Sequence, residues 1–168
     1  MKKNTGRGDK GKTDVLGGGR VFKDSARIEA VGALDELNAA LGLARAAIKQ
    51  QKIKKELEGI QKTLFLAGKD VVSGAQKKCA LDAGATKRLE AFIAKHEAAL
   101  PHQTKQFIIP GKTTADAFLH LARTVARRAE RRAVTLLRRK AVNPEVCRYL
   151  NRLSDYLFLT ALVWRECL

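Results

Sequence analysis

Along most of this chain apolar residues recur at three- and four-residue steps, the period of a helix with one buried face. Five stretches carry the pattern. Ser25 is placed to cap a helix running to about Lys49, with Ile28, Val31, Leu34, Leu37 or Asn38, and Leu41 along its stripe. A second helix runs from about Lys52 to Ser73 on Ile53, Leu57, Ile60, Leu64 and Val71. Residues 74–85 read as a connector, after which Thr86 is expected to cap a third helix ending near Leu100, just before Pro101. Phe107-Ile-Ile-Pro-Gly111 reads as a short extended segment broken by Pro-Gly. Thr113 or Thr114 opens a fourth helix to about Lys140. Asn143-Pro144 supplies a cap and a proline at the first helical position, opening a fifth that runs to the end. No strands alternate with these helices and no repeat is visible. The predicted fold is all-α, a single-domain five-helix bundle over residues 25–168, preceded by a flexible glycine-rich N-terminal loop at residues 1–24.

Composition agrees with one globular domain: 168 residues, 45% apolar and 30% charged, are enough to bury a real core. No apolar run approaches the roughly 20 residues of a membrane span, and nothing at the N-terminus resembles a signal peptide. Cys79, Cys147 and Cys167 are odd in number without CxxC spacing, so a reducing cytoplasm is expected and a disulfide frame or thiolate metal site is not. His96, His102 and His120 are scattered, which leaves a zinc or iron enzyme unsupported. His120 either lines a site or packs in the core, and packing is favoured. The formal net charge of +16 would draw nucleic acid non-specifically, so a basic helical nucleic-acid-binding protein is one alternative. Aromatic residues are only 5%, few for stacking on single strands. A non-catalytic helical scaffold is another alternative, and it leaves the glycine loop unexplained.

The distribution of the charge says more than its size. Six glycines fall between positions 6 and 19, and Gly6-x-x-x-x-Gly11-Lys12-Thr13 matches a P-loop letter for letter. That motif needs a buried strand before it and a helix after it. Here five residues precede it and Asp14-Val-Leu-Gly-Gly-Gly19 follows, so a P-loop fold is not expected. The segment is either a solvated basic tail or a loose wrap for a polyphosphate, built from glycine amides, Lys10, Lys12 and the Thr5 and Thr13 hydroxyls, with Arg20 and Lys23 extending it. The fourth helix concentrates charge further, with seven arginines and one acid, Glu130, between Arg123 and Arg139. Arg123, Arg127, Glu130 and Arg131 fall on a face away from the apolar stripe of Phe118, Leu121 or Ala122, Val125, Ala129, Ala133 and Leu136, so their heads are expected to converge. Like charge so concentrated calls for an anion or partner carboxylates. Asp35-Glu36 on the first helix could supply one acid to it or lie on the surface. On the fifth helix Asn151, Ser154, Asp155 and Phe158 form a face able to hydrogen-bond a nucleoside.

Five blocks in order resemble the PduO-type ATP:cob(I)alamin adenosyltransferases. They are Thr5-Gly-Arg-Gly-Asp-Lys-Gly-x-Thr13, Arg27-x-Glu-Ala-x-Gly-x-x-Asp-Glu-Leu-Asn38, Phe107-Ile-Ile-Pro-Gly, Leu119-His-x-Ala-Arg-Thr-Val-x-Arg-Arg-Ala-Glu-Arg-Arg132 and Tyr149-Leu-Asn-Arg-Leu-Ser-Asp-Tyr-Leu-Phe158. The resemblance implies a homotrimeric five-helix bundle with active sites between neighbouring subunits. It implies transfer of the 5′-deoxyadenosyl group of ATP to the cobalt of cob(I)alamin, releasing triphosphate; Mg²⁺ bridging the phosphates would help neutralise that leaving group. The ATP site would comprise Thr5, Gly6, Arg7, Gly8, Thr13, Lys23, Arg127, Glu130, Arg131 and Asn151. Asp35 and Arg123 would pair across the subunit boundary, and Phe107 would seal the lower axial face of the corrin. A flavoprotein reductase and a cobalamin-dependent mutase are the protein partners it suggests, with no membrane and no specific nucleic acid. The sequence departs from the family's pattern at Lys3-Asn4, at Lys112 after Pro-Gly, and at its Val163-Trp-Arg-Glu-Cys-Leu168 ending.

Overall fold

The computed structural model describes residues 6–15, 19–74, 80–100 and 107–166. Thr5, Cys79, His102 and Cys167 lie outside them. The chain runs β1 (Lys12–Asp14), β2 (Arg20–Phe22), α1 (Ala26–Ala47), α2 (Gln51–Ser73), α3 (Ala83–Ala99), α4 (Thr114–Arg138) and α5 (Pro144–Glu166). Helix α4 packs between α1 and α5, α2 lies against the outer side of α1, and α3 lies against α5. All five expected helices form.

The packing follows from side-chain size. Where α4 crosses its neighbours its stripe is mostly alanine (Ala115, Ala122, Ala126, Ala129 and Ala133, each 3% exposed or less), which lets helices approach closely. Of the two stripe options, Ala122 is buried and Leu121 is exposed. Helix α5 has helices on two sides and buries Tyr149, Leu150, Leu153, Tyr156, Leu157 and Ala161 almost completely.

Polar groups tie the ends of the bundle. Asp70, buried near the end of α2, accepts hydrogen bonds from Ala80 N (2.6 Å), Leu81 N (3.1 Å) and Asn143 Nδ2 (2.8 Å). Asn143 also accepts from Glu145 N at 3.0 Å, the expected cap of α5. Between α2, α3 and α5 the Tyr156 hydroxyl donates to Glu56 (2.9 Å), and His96 stacks on the Tyr156 ring at 5.4 Å. Thr160 Oγ1 lies 3.1 Å from His96 Nδ1, so each buried polar side chain here has a partner.

Three expectations change. The N-terminal segment is not wholly loop: β1 and β2 pair antiparallel with Thr13 opposite Val21. Strands of three residues are too short for alternation to be read from sequence. Helix α3 starts at Ala83 with Asp82 as its cap, Oδ1 accepting from Ala85 N at 3.1 Å. Thr86 lies inside the helix, buried, and donates to Glu145 Oε1 at 2.7 Å. Ser25 occupies the cap position of α1 in extended geometry, but its side chain makes no cap bond.

Candidate functional site

The residues singled out on sequence fall into three places. The first is a cleft of about 470 Å³ between α4 and α5, lined by Arg127, Glu130, Arg131, Val134, Thr135, Arg138 and Asn151. The α4 residues are three, four and seven apart, so helical geometry sets them on one wall. The opposite wall comes from α5, where Asn151 Nδ2 donates to Glu130 Oε1 at 3.1 Å and Arg152 Nη2 donates to Asn151 Oδ1 at 2.5 Å. Among the described residues no carboxylate pairs with Arg127, Arg131 or Arg138, so three guanidinium groups share the cleft with one acid.

The other arginines of α4 are accounted for differently. Arg128 pairs with Glu36 and Arg132 with Glu29 (3.3 Å), both acids on α1. Sequence reasoning missed these pairs. The signal was present: Glu29 and Glu36 stand seven apart on one face of α1, and Arg128 and Arg132 four apart on α4. Of the neighbouring Asp35 and Glu36, Glu36 is the one that pairs with the arginine helix within the chain.

The second place is the N-terminal hairpin. Gly6 and Gly11 have φ of 64° and 74°, left-handed values that glycine adopts without strain. The turn between them is closed by Asp9 N to Gly6 O and Gly11 N to Gly8 O, both 3.2 Å. Arg20 donates to the carbonyls of Arg7 and Lys12, and Asp14 pairs with Arg7 at 3.3 Å and Arg20 at 3.6 Å. Lys23 folds over Gly8, where an added Cβ would meet its Nζ at 3.1 Å. Gly6, Arg7, Gly8, Thr13 and Lys23 are therefore brought together. Lys12 and Thr13 stand in a strand instead of at a helix start, which removes the P-loop reading. The structure does not bring this group into the α4–α5 cleft. Lys23 instead lines a separate depression with Glu29, Gly32, Glu36, Arg128 and Arg132.

The third place holds the remaining candidates, which stand apart. Asp35 is exposed on a groove of about 480 Å³ between α1 and α2, beside Val31, Leu34, Phe65 and Lys69. Arg123 is half-buried with its guanidinium 5.8 Å from the centre of the Phe158 ring. It does not line the α4–α5 cleft, and it makes no ion pair with Asp35 within the chain. Phe107 projects fully from the segment before α4 (106% exposed), with Ile109 beside it at 84%. His120 is buried, edge-on to Phe158 at 6.2 Å, as packing required. Burial holds its imidazole below the ordinary range, with Asp116 pulling the other way. The Cys147 thiol is pushed up to about 11 by burial and by Glu130, which disfavours the reactive thiolate.

A five-helix bundle with an arginine-lined cleft, a glycine hairpin and an exposed phenylalanine is the class of fold and site that this chain presents. Over residues 3–164 the chain matches the family described as cobalamin adenosyltransferase, and it belongs to that family. It is 43% identical over 168 residues to the corrinoid adenosyltransferase of Bacillus subtilis (strain 168), a match covering 97% of this chain and 86% of the relative. A corrinoid adenosyltransferase of Citrobacter freundii is 39% identical over 160 residues, 93% of this chain and 90% of that one. Among solved structures, a variant PduO-type ATP:corrinoid adenosyltransferase from Lactobacillus reuteri complexed with cobalamin and ATP superposes with a TM-score of 0.92. Its sequence identity is 36%, and the match covers 98% of this chain and 91% of that one.

Proposed function

We propose that this chain transfers the 5′-deoxyadenosyl group of ATP to the cobalt of cob(I)alamin, giving adenosylcobalamin and triphosphate. The single observation that carries the reading is the α4–α5 cleft, where arginines without carboxylate partners face Glu130 and Asn151, in a chain whose relatives are adenosyltransferases. Co(I) is itself the nucleophile. Its electron pair forms the Co–C5′ bond as the C5′–O bond breaks and triphosphate leaves with the bonding pair. No general base is needed. The protein's tasks are to hold C5′ in line with cobalt and to stabilise the charge on the leaving group.

Arg127 and Arg131 suit the triphosphate through charge-assisted hydrogen bonds. Glu130 and Asn151, already joined to each other, can turn toward ribose hydroxyls. Gly6, Arg7, Gly8, Thr13 and Lys23 form a second anion-binding group on the hairpin, and the resemblance adds Thr5, which lies outside the described residues. Because hairpin and cleft are separate within one chain, the reading places the complete site between two chains of a homotrimer. There Asp35 of one subunit would meet Arg123 of the next. Among the described residues no three His, Cys, Asp or Glu side chains could cage a metal. Mg²⁺ would therefore be held chiefly by phosphate oxygens, with Glu130 as the nearby carboxylate, and would neutralise charge on the leaving group. Phe107 is suited to cover the lower axial face of the corrin, excluding water and any lower ligand, which makes Co(II) easier to reduce.

The setting that follows is the cytoplasm, with a flavoprotein reductase supplying electrons and a cobalamin-dependent mutase taking the product. No described helix is long and apolar enough to cross a membrane. The nucleic-acid alternative has no support from the relatives, and two of the α4 arginines that suggested it are already neutralised by α1. Incubation with ATP and chemically reduced cobalamin tests the function. A photolabile cobalt–carbon product is expected, and its absence, with the cobalt verified as Co(I), contradicts the assignment. Phe107→Ala should mainly harm the reaction started from Co(II). Wild-type behaviour from both cobalt states would remove Phe107 from the lower face.

A further inference from the structure

The segment bearing Phe107 is anchored more firmly than an exposed loop requires. Asp116, in the first turn of α4, is fully buried, yet one carboxylate oxygen accepts from Gly111 N at 2.7 Å and Lys112 N at 2.9 Å. The other oxygen faces His120 Nε2 at 3.5 Å and Arg165 Nη1 at 3.6 Å. Arg165, near the end of α5, donates from the same Nη1 to Ile109 O at 3.0 Å, and Lys112 Nζ donates back to Arg165 O at 3.1 Å. A buried carboxylate is costly unless its charge is compensated; here the turn amides satisfy one oxygen, while the other has no hydrogen bond and is held by the Arg165 charge at ion-pair distance. Lys112 and the end of α5 are also where the sequence departs from the family's pattern.

We propose that Asp116 and Arg165 form a clamp that positions Phe107, making both of them positioning residues for the corrin-side half of the reaction. The clamp fixes the chain from Ile109 to Lys112, two residues after Phe107, and leaves the Phe107 ring projecting outward. This rests on the reading of Phe107 given above. It adds that the end of α5, which does not line the arginine cleft, governs how the corrin is held. Because the clamp touches neither the hairpin nor Arg127 and Arg131, its loss should act on the corrin and spare ATP.

The test uses the full chain with ATP and cobalamin. Arg165→Ala is the main variant, since Arg165 is partly exposed; because it leaves the buried Asp116 charge without its guanidinium, thermal unfolding is read beside the kinetics to show that the chain is folded. Asp116→Asn is the second, keeping shape while removing charge. In both, KM for cobalamin should rise about fivefold while KM for ATP stays within about twofold. The absorption change that marks loss of the lower ligand from Co(II) should weaken, and the rate from Co(II) should fall more than the rate from Co(I). Phe107→Ala/Arg165→Ala should be no worse than Phe107→Ala alone, since the clamp acts through Phe107. Additive losses in that pair, or equal rises in both KM values, would overturn the proposal while leaving the Phe107 reading in place. Wild-type activity of Arg165→Ala beside an impaired Phe107→Ala would do the same. If Phe107→Ala is itself wild type from both cobalt states, the lower-face reading fails and the clamp's role fails with it.

Discussion

Helix α4 presents arginine on two sides, and the two sides are built differently. Toward α1, Arg128 and Arg132 meet Glu36 and Glu29, so charge balances within the chain. Toward α5, Arg127, Arg131 and Arg138 share a cleft in which Glu130 is the one acid among the described residues, and Glu130 is already engaged by Asn151. Balanced exposed pairs contribute little to stability and ask nothing of a ligand. Unbalanced guanidinium groups lower their energy when an anion arrives, and more so in a partly enclosed site. Net charge alone would treat all seven arginines alike. Their partners separate a structural set from one that seeks a ligand.

The sharpest break in the comparison is Arg131→Ala or Arg127→Ala. Each removes a donor to the leaving triphosphate and should lower kcat/KM about 10²- to 10³-fold, measured by adenosylcobalamin formation from Co(I). A loss of twofold or less would erase the distinction between the two sides. Arg123→Ala comes next: Arg123 stands outside the cleft, so turnover should fall about tenfold with no selective effect on KM for ATP. A change confined to KM for ATP would move Arg123 back among the triphosphate ligands.

A control away from both sides comes from pH. Burial holds the imidazoles of His96 and His120 below their ordinary value, outweighing Glu56 and Asp116, which pull upward. The unfolded chain takes up these protons near pH ~6.5 while the native chain resists, so stability is complete above that range and falls as pH drops through it. Urea unfolding at pH 7.5 and 5.5 should show the lower midpoint in acid, and His96→Gln should flatten the difference. A midpoint that rises on acidification would contradict the sign. The smallest effect belongs to Arg128→Ala and Arg132→Ala, each expected to cost about 1 kcal/mol or less by thermal unfolding and to leave turnover within about twofold.

Much of this was legible in the sequence. The helices came from period and from chemistry at their ends: Asn143-Pro144 caps α5, and Thr113 caps α4 by accepting from Asp116 N at 3.1 Å. The start of α3 was misread because Asp82 and Thr86 are both good caps, and only packing against Glu145 buries one of them. The hairpin was hidden by its length, since three residues a side carry no period. Within the site, the grouping of Arg127, Glu130 and Arg131 followed from helical spacing. The placement of Arg123 beside Phe158 did not, because its partner is a side chain on another helix. The buried Asp116 was invisible for a similar reason: its partners are backbone amides and the far end of another helix.

The claim that α4 keeps one arginine face for a triphosphate can be tested without cobalamin, by calorimetric titration of inorganic triphosphate into single-alanine variants of the full chain. The account predicts that Arg127→Ala and Arg131→Ala each weaken binding by about tenfold or more, while Arg128→Ala and Arg132→Ala bind as the wild type does. Equal losses on both faces, or losses only at Arg128 and Arg132, would contradict it.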